Sequence, residues 1–277
     1  MSNQCFGEGT RIMLYDEGYK RVEDVKKHDF FIGPNNTKCE IINTYTGSDF
    51  LYKIIDLDYN YVYTVTENHI LTLINSNNEI LNIKLKDFLD KKKKCIYYGF
   101  RVMVDYKNKN FTEEEINNYV DDIIEKIKNN EKINLFDDEF IFNTINIRSI
   151  FLSSLILKDN NYDLINGNIV FYLNINYVKL IDKILFLCFS LHLNPTTERV
   201  DNAIEITINT CTSDFFSYLQ NKISDDYLDI LEDDSVSTYN IKIVKEEKKN
   251  KYYGFETKEN NRFILWDSSV SYSSTKN

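Results

Sequence analysis

The chain has 277 residues, 43% hydrophobic and 27% charged, the balance of a globular protein with room for two compact domains. Its net charge of −10 is uneven: Phe111 to Asn240 carries 23 acidic and 9 basic residues, a poor surface for nucleic acid, since phosphate contacts need Lys and Arg. No apolar run reaches membrane-spanning length, MSNQCFGEGT lacks the basic start and apolar core of a leader, and five cysteines without a CxxC pair disfavour a disulfide framework or structural zinc, so an intracellular, monomeric protein is expected.

Up to about residue 105 the sequence reads as short strands: RIMLYD, DFFIG, CEIINTY, LYKIIDLD, YVYTVT and HILTLI, separated by turn chemistry at DEG, GPNN, GSD and NSNN. LKDFLD leads into the basic run Lys91–Lys94, read as a solvated helix end. From Thr112 the pattern turns helical, with a Thr cap and an acidic first turn in TEEEINNYVDDIIEKIKNN. A helix over Thr144–Leu157, a hairpin turning at Asn166-Gly167, a helix ending before Pro195, a strand IEITINT and a helix SDFFSYLQNKI follow. After Asn250 the β character returns in KYYGFET and NRFILWDSSVSYSS, with KENN expected as a hairpin loop between them.

Four stretches carry chemistry: CFGEGTRIML from Cys5; VTENHILTL with Thr66 and His69; YYGFETKENNRFILWD ending at Asp267; and the tail SSVSYSS. Singly, each has a plain reading, such as an idle buried thiol or a structural histidine. Together their order and spacing resemble the sequence blocks of inteins, self-splicing protein inserts, and are similar to the vacuolar-ATPase type found in nuclear and giant-virus genes. The resemblance covers roughly residues 5–105 and 245–274.

It implies a mainly β, horseshoe-shaped splicing domain of the Hint type, split by an α/β insertion. The implied order is 1–4 upstream flank, 5–105 first splicing part, 106–245 insertion, 246–273 second splicing part and 274–277 downstream flank. It further implies that Cys5 attacks the Gln4 carbonyl to form a thioester, and that Thr66 holds and polarises the scissile amide. His69 would protonate the departing nitrogen, Asp267 would assist the thiol chemistry, and the Ser274 hydroxyl would then accept the acyl group. No cofactor and no metal are implied. The partners are host-protein flanks in cis.

The C-terminal junction departs from the family, which ends in His-Asn. Those positions fall on Tyr272 and Ser273, and a serine has no amide nitrogen with which to cyclise. Two readings stay open: Ser273 stands where an Asn belongs and traps a precursor, or the terminal residue is Asn277. The insertion resembles one repeat of a LAGLIDADG homing endonuclease. Its motif would span Leu152–Asn160, with the acidic position at Asp159 and Ser154 and Asn160 in place of two glycines. A cleavage site needs carboxylates from two repeats, and only one is found. A vestigial endonuclease without DNA binding is expected. The alternatives are an autoprocessing domain that only cleaves at its N-terminus, and an active DNA endonuclease.

Overall fold

Alternating apolar residues and frequent turns give the chain 49% strand against 30% helix in a computed structural model, a mainly β protein. The structure describes residues 5–16, 18–58, 62–91, 96–106, 109–129, 138–159, 162–165, 168–208, 211–219, 230–231, 236–259 and 261–273. They form two compact units, one of residues 1–102 and 236–277, the other of residues 103–235. No helix among the described residues is long and apolar enough to cross a membrane.

The first unit runs β1 (Cys5–Gly7), β2 (Arg11–Met13), β3 (Tyr19–Arg21), β4 (Phe30–Gly33), β5 (Thr37–Asp56), β6 (Val62–Thr66), β7 (Ile70–Asn75), β8 (Ile80–Lys84), α1 (Leu85–Lys91) and β9 (Tyr97–Val102). The second contributes α2 (Glu113–Lys128), α3 (Asp138–Ile141), α4 (Ile145–Asp159), β10 (Tyr162–Ile165), β11 (Asn168–Asn174), α5 (Val178–Ser190), β12 (Pro195–Val200), β13 (Ala203–Ile208), β14 (Cys211–Thr212), α6 (Ser213–Leu219) and β15 (Ile230–Leu231). The chain then returns to the first unit through β16 (Val236–Tyr239), β17 (Ile241–Thr257), β18 (Asn261–Ile264) and β19 (Val270–Ser273).

One sheet of the first unit has the order β17-β1-β6-β5-β4, with β17 also pairing β5. A second has the order β16-β9-β7-β19-β18, with β8 on β7, and β2 and β3 pair as a two-stranded sheet. Phe6, Phe31, Phe255 and Phe263 meet in the core between β1, β4, β17 and β18, with ring centroids 4.8 to 6.0 Å apart. Such pairs contribute about 0.5–1.5 kcal/mol each beyond their burial. They fix where the residue before Phe6, Cys5, can lie.

Three expectations are corrected. GSD is no turn: Thr37–Asp56 is one strand, held straight through Gly47–Asp49 by pairing with Asp49↔Asn250 and Gly47↔Tyr252. Gly47 serves close approach, because a Cβ there would lie 2.4 Å from the Tyr252 hydroxyl. KENN is no hairpin loop: β17 pairs β1 and β5, while β18 pairs β19, so the segment passes between sheets. The second unit ends at residue 235 rather than 245, because Val236–Tyr239 pairs β9 and Ile241–Lys245 pairs β5.

In the second unit, β10-β11-β13-β12 form an antiparallel sheet. Helix α2 starts with a capping box, Thr112 and Glu115 each bonding the other's backbone amide. It packs on α4, where Ser154 Oγ donates to Asn117 Oδ1 at 2.9 Å and Lys158 Nζ to Asp121 at 2.7 Å. The expected turn at residues 166–167 and the end of the expected helix SDFFSYLQNKI, residues 220–223, lie outside the described residues.

Val102 and Val236 are register partners on β9 and β16. Removing residues 103–235 and joining these two valines by Asn-Gly should therefore leave a β-hairpin in a folded first unit. One cooperative urea transition is expected; a product that binds a hydrophobic dye and lacks near-ultraviolet ellipticity would show that the first unit needs the second.

Candidate active site

Strand β1 is only three residues long but enters the sheet between β17 and β6, with Cys5 opposite Gly254 and Phe6 opposite Val65. Alternation sends Phe6 into the aromatic core and leaves Cys5 buried on the other face, against β17. A Cβ on Gly254 would lie 2.8 Å from Cys5 Sγ and 2.2 Å from a Tyr45 ring carbon, so only glycine lets the three meet. The Cys5 amide donates to Thr66 Oγ1 at 3.3 Å. Burial pushes the Cys5 thiol up to about 12, against the opposing pull of the Thr66 hydroxyl. At neutral pH the sulfur is protonated.

Thr66 closes β6, and a tight turn follows in which the His69 amide donates to the Thr66 carbonyl at 3.0 Å. The Leu85 amide donates to the His69 carbonyl at 2.8 Å. The His69 ring is fully buried, edge-on to Phe6 with centroids 4.6 Å apart. Its Nε2 lies 3.3 Å from Ser271 Oγ, and its Nδ1 has no hydrogen-bond partner among the described residues. Burial pushes His69 down to about 3, so the imidazole is neutral at physiological pH.

The end of the first unit folds back onto this place. Between β18 and β19 the chain turns at Ser268, which takes a left-handed φ of 64°. Asp267 holds the turn, its Oδ1 accepting from the Ser269 amide at 3.3 Å and the Ser269 hydroxyl at 2.6 Å. Arg101 Nε donates to the Asp267 carbonyl at 2.9 Å, and Arg101 NH2 reaches Asp267 Oδ2 at 3.3 Å and Asp56 Oδ2 at 2.5 Å. All three side chains are buried. Losing one member of such a buried ionic cluster costs about 3–5 kcal/mol.

Along β19 the side chains alternate. Ser271 and Ser273 share the buried face, and Ser273 Oγ lies 3.5 Å from the Phe255 carbonyl, which the Tyr45 hydroxyl also approaches at 3.4 Å. Tyr272 is half-buried and lines an open cleft of about 360 Å³ with Pro34, Thr37, Asn82 and Arg262. Cys5 and Ser273 thus meet β17 at successive residues, Gly254 and Phe255.

The structure ties the Cys5 amide to Thr66 and, through the following turn, to the His69 backbone, packs the His69 ring on Phe6, and sets Ser273 against the β17 residue next to the partner of Cys5. It places Asp267 in a turn with Arg101 and Ser269, with no hydrogen bond to Cys5 among the described residues. Gln4, Ser274 and Asn277 lie outside the described residues. Asp159 ends α4 in the second unit, its side chain likewise outside them. No group of three or more His, Cys, Asp or Glu residues suited to a metal ion occurs among the described residues. Sequence reasoning missed Tyr45, Arg101, Gly254 and Ser271. Only Ser271 had a visible signal, the period-two alternation that puts it with Ser273.

His69 also gives the fold a pH dependence. Its pKa is lower folded than unfolded, so between about 6.5 and 3 the unfolded chain binds the extra proton. The stability it contributes is whole above that window and is lost as pH falls through it, by up to about 1.4 kcal/mol per pH unit. Urea midpoints at pH 7.5 and 5 should therefore differ more in the parent than in His69→Gln; equal differences would mean that His69 titrates alike in both states.

No protein-family model matches the chain, and no curated protein sequence does. Among solved structures, it is similar to a bacterial intein-like domain from Clostridium thermocellum at 9% identity, covering 97% of this chain and 98% of that one with a TM-score of 0.35. It is similar to the AceL NrdHF class 3 split intein, in a splice-inactive variant, at 9% identity over 99% of both chains with a TM-score of 0.37. Against the gp41-1 intein the identity is 18%, over 29% of this chain and 59% of that one, with a TM-score of 0.23. With TM-scores under 0.5, these likenesses carry no weight in the functional reading.

Proposed function

We propose that the chain is an intein whose first unit is a Hint-type splicing domain and whose reaction is intramolecular acyl transfer at the Gln4–Cys5 peptide bond. The observation that carries this reading is the convergence of both ends of the first unit on one buried place. The Cys5 amide is held by Thr66, the next turn supplies a neutral His69, and Ser273 reaches β17 one residue from the partner of Cys5.

The chemistry follows from the protonation states. A thiol held near 12 must lose its proton as it attacks, and in this reading the neutral imidazole of His69 is the group assigned to take it. The Cys5 sulfur bonds to the Gln4 carbonyl carbon, the carbon–nitrogen bond breaks, and His69 returns the proton to the departing Cys5 nitrogen. Thr66 keeps that nitrogen in place. The Ser274 hydroxyl then attacks the thioester, releasing the Cys5 thiol and leaving a branched ester. Asp267 acts in this scheme by holding the β18–β19 turn with Arg101, which sets where Ser273 lies.

Resolution of the branch needs a side-chain amide at position 273, and serine has none. The chain as written should persist as a precursor, with flanks in cis as its partners and no cofactor. A reading in which it only cleaves at its N-terminus is favoured by the same serine and by Tyr272, which lines a cleft on the opposite face from Ser273. The second unit is proposed to be a vestigial LAGLIDADG endonuclease. Ser154, at a position where the motif has glycine, is bonded to α2, and Glu198 and Glu205 stand directly opposite each other on neighbouring strands, a pairing hostile to phosphates.

Incubation with a small thiol at pH 8 should release residues 1–4 as a thioester, read by mass spectrometry. Cys5→Ala should abolish release and His69→Ala should slow it about 10²-fold. Release from Cys5→Ala would remove Cys5 from its role, and an unchanged rate in His69→Ala would make that histidine structural.

A further inference from the structure

Ser271 has no role in the scheme above, yet it is the one side chain hydrogen-bonded to the His69 ring among the described residues. It is buried, it lies two residues before Ser273 on the same face of β19, and β19 meets β7 through a single register pair, Ser271 with Leu71. Leu71 is two residues beyond His69. The ring is thus held at Nε2 by the C-terminal strand and by a T-shaped contact with Phe6, while its own backbone is fixed by Thr66 and Leu85. Only Nδ1 is left without a partner among the described residues.

A neutral imidazole carries one N–H, and the bond made by one nitrogen decides the state of the other. We propose that Ser271 is a positioning residue that accepts from His69 Nε2–H, fixes the tautomer and leaves Nδ1 as the bare proton acceptor. N-terminal chemistry is then conditional on docking of β19, the strand that carries the C-terminal junction. A chain whose C-terminal strand is not yet seated would hold an unclamped His69 and a slow Cys5, which guards against premature N-terminal cleavage. The contact between His69 and Ser271 stands on geometry, the direction of its hydrogen bond is the proposal, and its consequence for rate rests on the splicing reading.

The test uses the full chain labelled with ¹⁵N-histidine, with His69→Gln to assign the resonance. Thr and Val have the same shape and differ here by one hydroxyl, so Ser271→Thr and Ser271→Val separate hydrogen bonding from packing. A single Nε2–H tautomer is expected in the parent and in Ser271→Thr, and a mixture in Ser271→Val. Thiol-induced release of residues 1–4 should be about fivefold slower in Ser271→Val than in Ser271→Thr, the usual worth of one neutral hydrogen bond. An Nδ1–H tautomer in the parent, or identical tautomers and rates in the two variants, overturns the proposal. A parent that releases nothing with thiol, while its tautomer still follows the hydroxyl, upholds the role of Ser271 and removes the splicing reading instead.

Discussion

Strand β17 is the constraint on which the rest of the first unit depends. At Gly254 it takes Cys5 as its register partner, and at Phe255 it offers a carbonyl to Ser273. The missing side chain at Gly254 lets the sulfur and the Tyr45 ring approach the backbone together. The Phe255 side chain, on the opposite face, anchors the same stretch in the aromatic core with Phe6, Phe31 and Phe263. Bringing two distant parts of a chain to adjacent residues has a closure entropy that grows only slowly with the length between them. Residues 103–235 can therefore sit between β9 and β16 without spoiling that meeting.

Burial then sets the chemistry. In a low-dielectric place both charged forms are disfavoured, so Cys5 is held as thiol and His69 as neutral imidazole. The buried ionic cluster of Arg101 with Asp56 and Asp267 ties β9, the end of β5 and the β18–β19 turn together. The hydroxyls of Thr66, Ser271, Ser273 and Tyr45 supply the polar contacts around Cys5 and His69 without adding charge.

What the sequence made legible was local. The TxxH turn from Thr66 to His69, the Thr112 cap and the strand run before Ser273 all follow from neighbours within a few residues. What it hid was pairing at a distance. Gly47 reads as a turn residue, but a strand some two hundred residues later holds it extended. KENN reads as a hairpin loop, but its two flanking strands have better partners elsewhere. Asp267 stands at a position that resembles a reactive residue, and its bonds to Ser269 in the β18–β19 turn were not legible beside that resemblance. Tyr45 and Gly254 have meaning only once β5 and β17 are side by side.

The most direct test of the account is to supply the missing amide. Ser273→Asn in the otherwise unchanged chain should yield, by mass spectrometry, the joined peptide MSNQSTKN and a separate product of 269 residues, positions 5 to 273, while the parent stays intact. If the parent already yields joined flanks, the terminal residue is not at 273, and Asn277 takes its place. If Ser273→Asn gives only N-terminal cleavage, the chain is an autoprocessing domain that cuts without joining, and the splicing account is wrong.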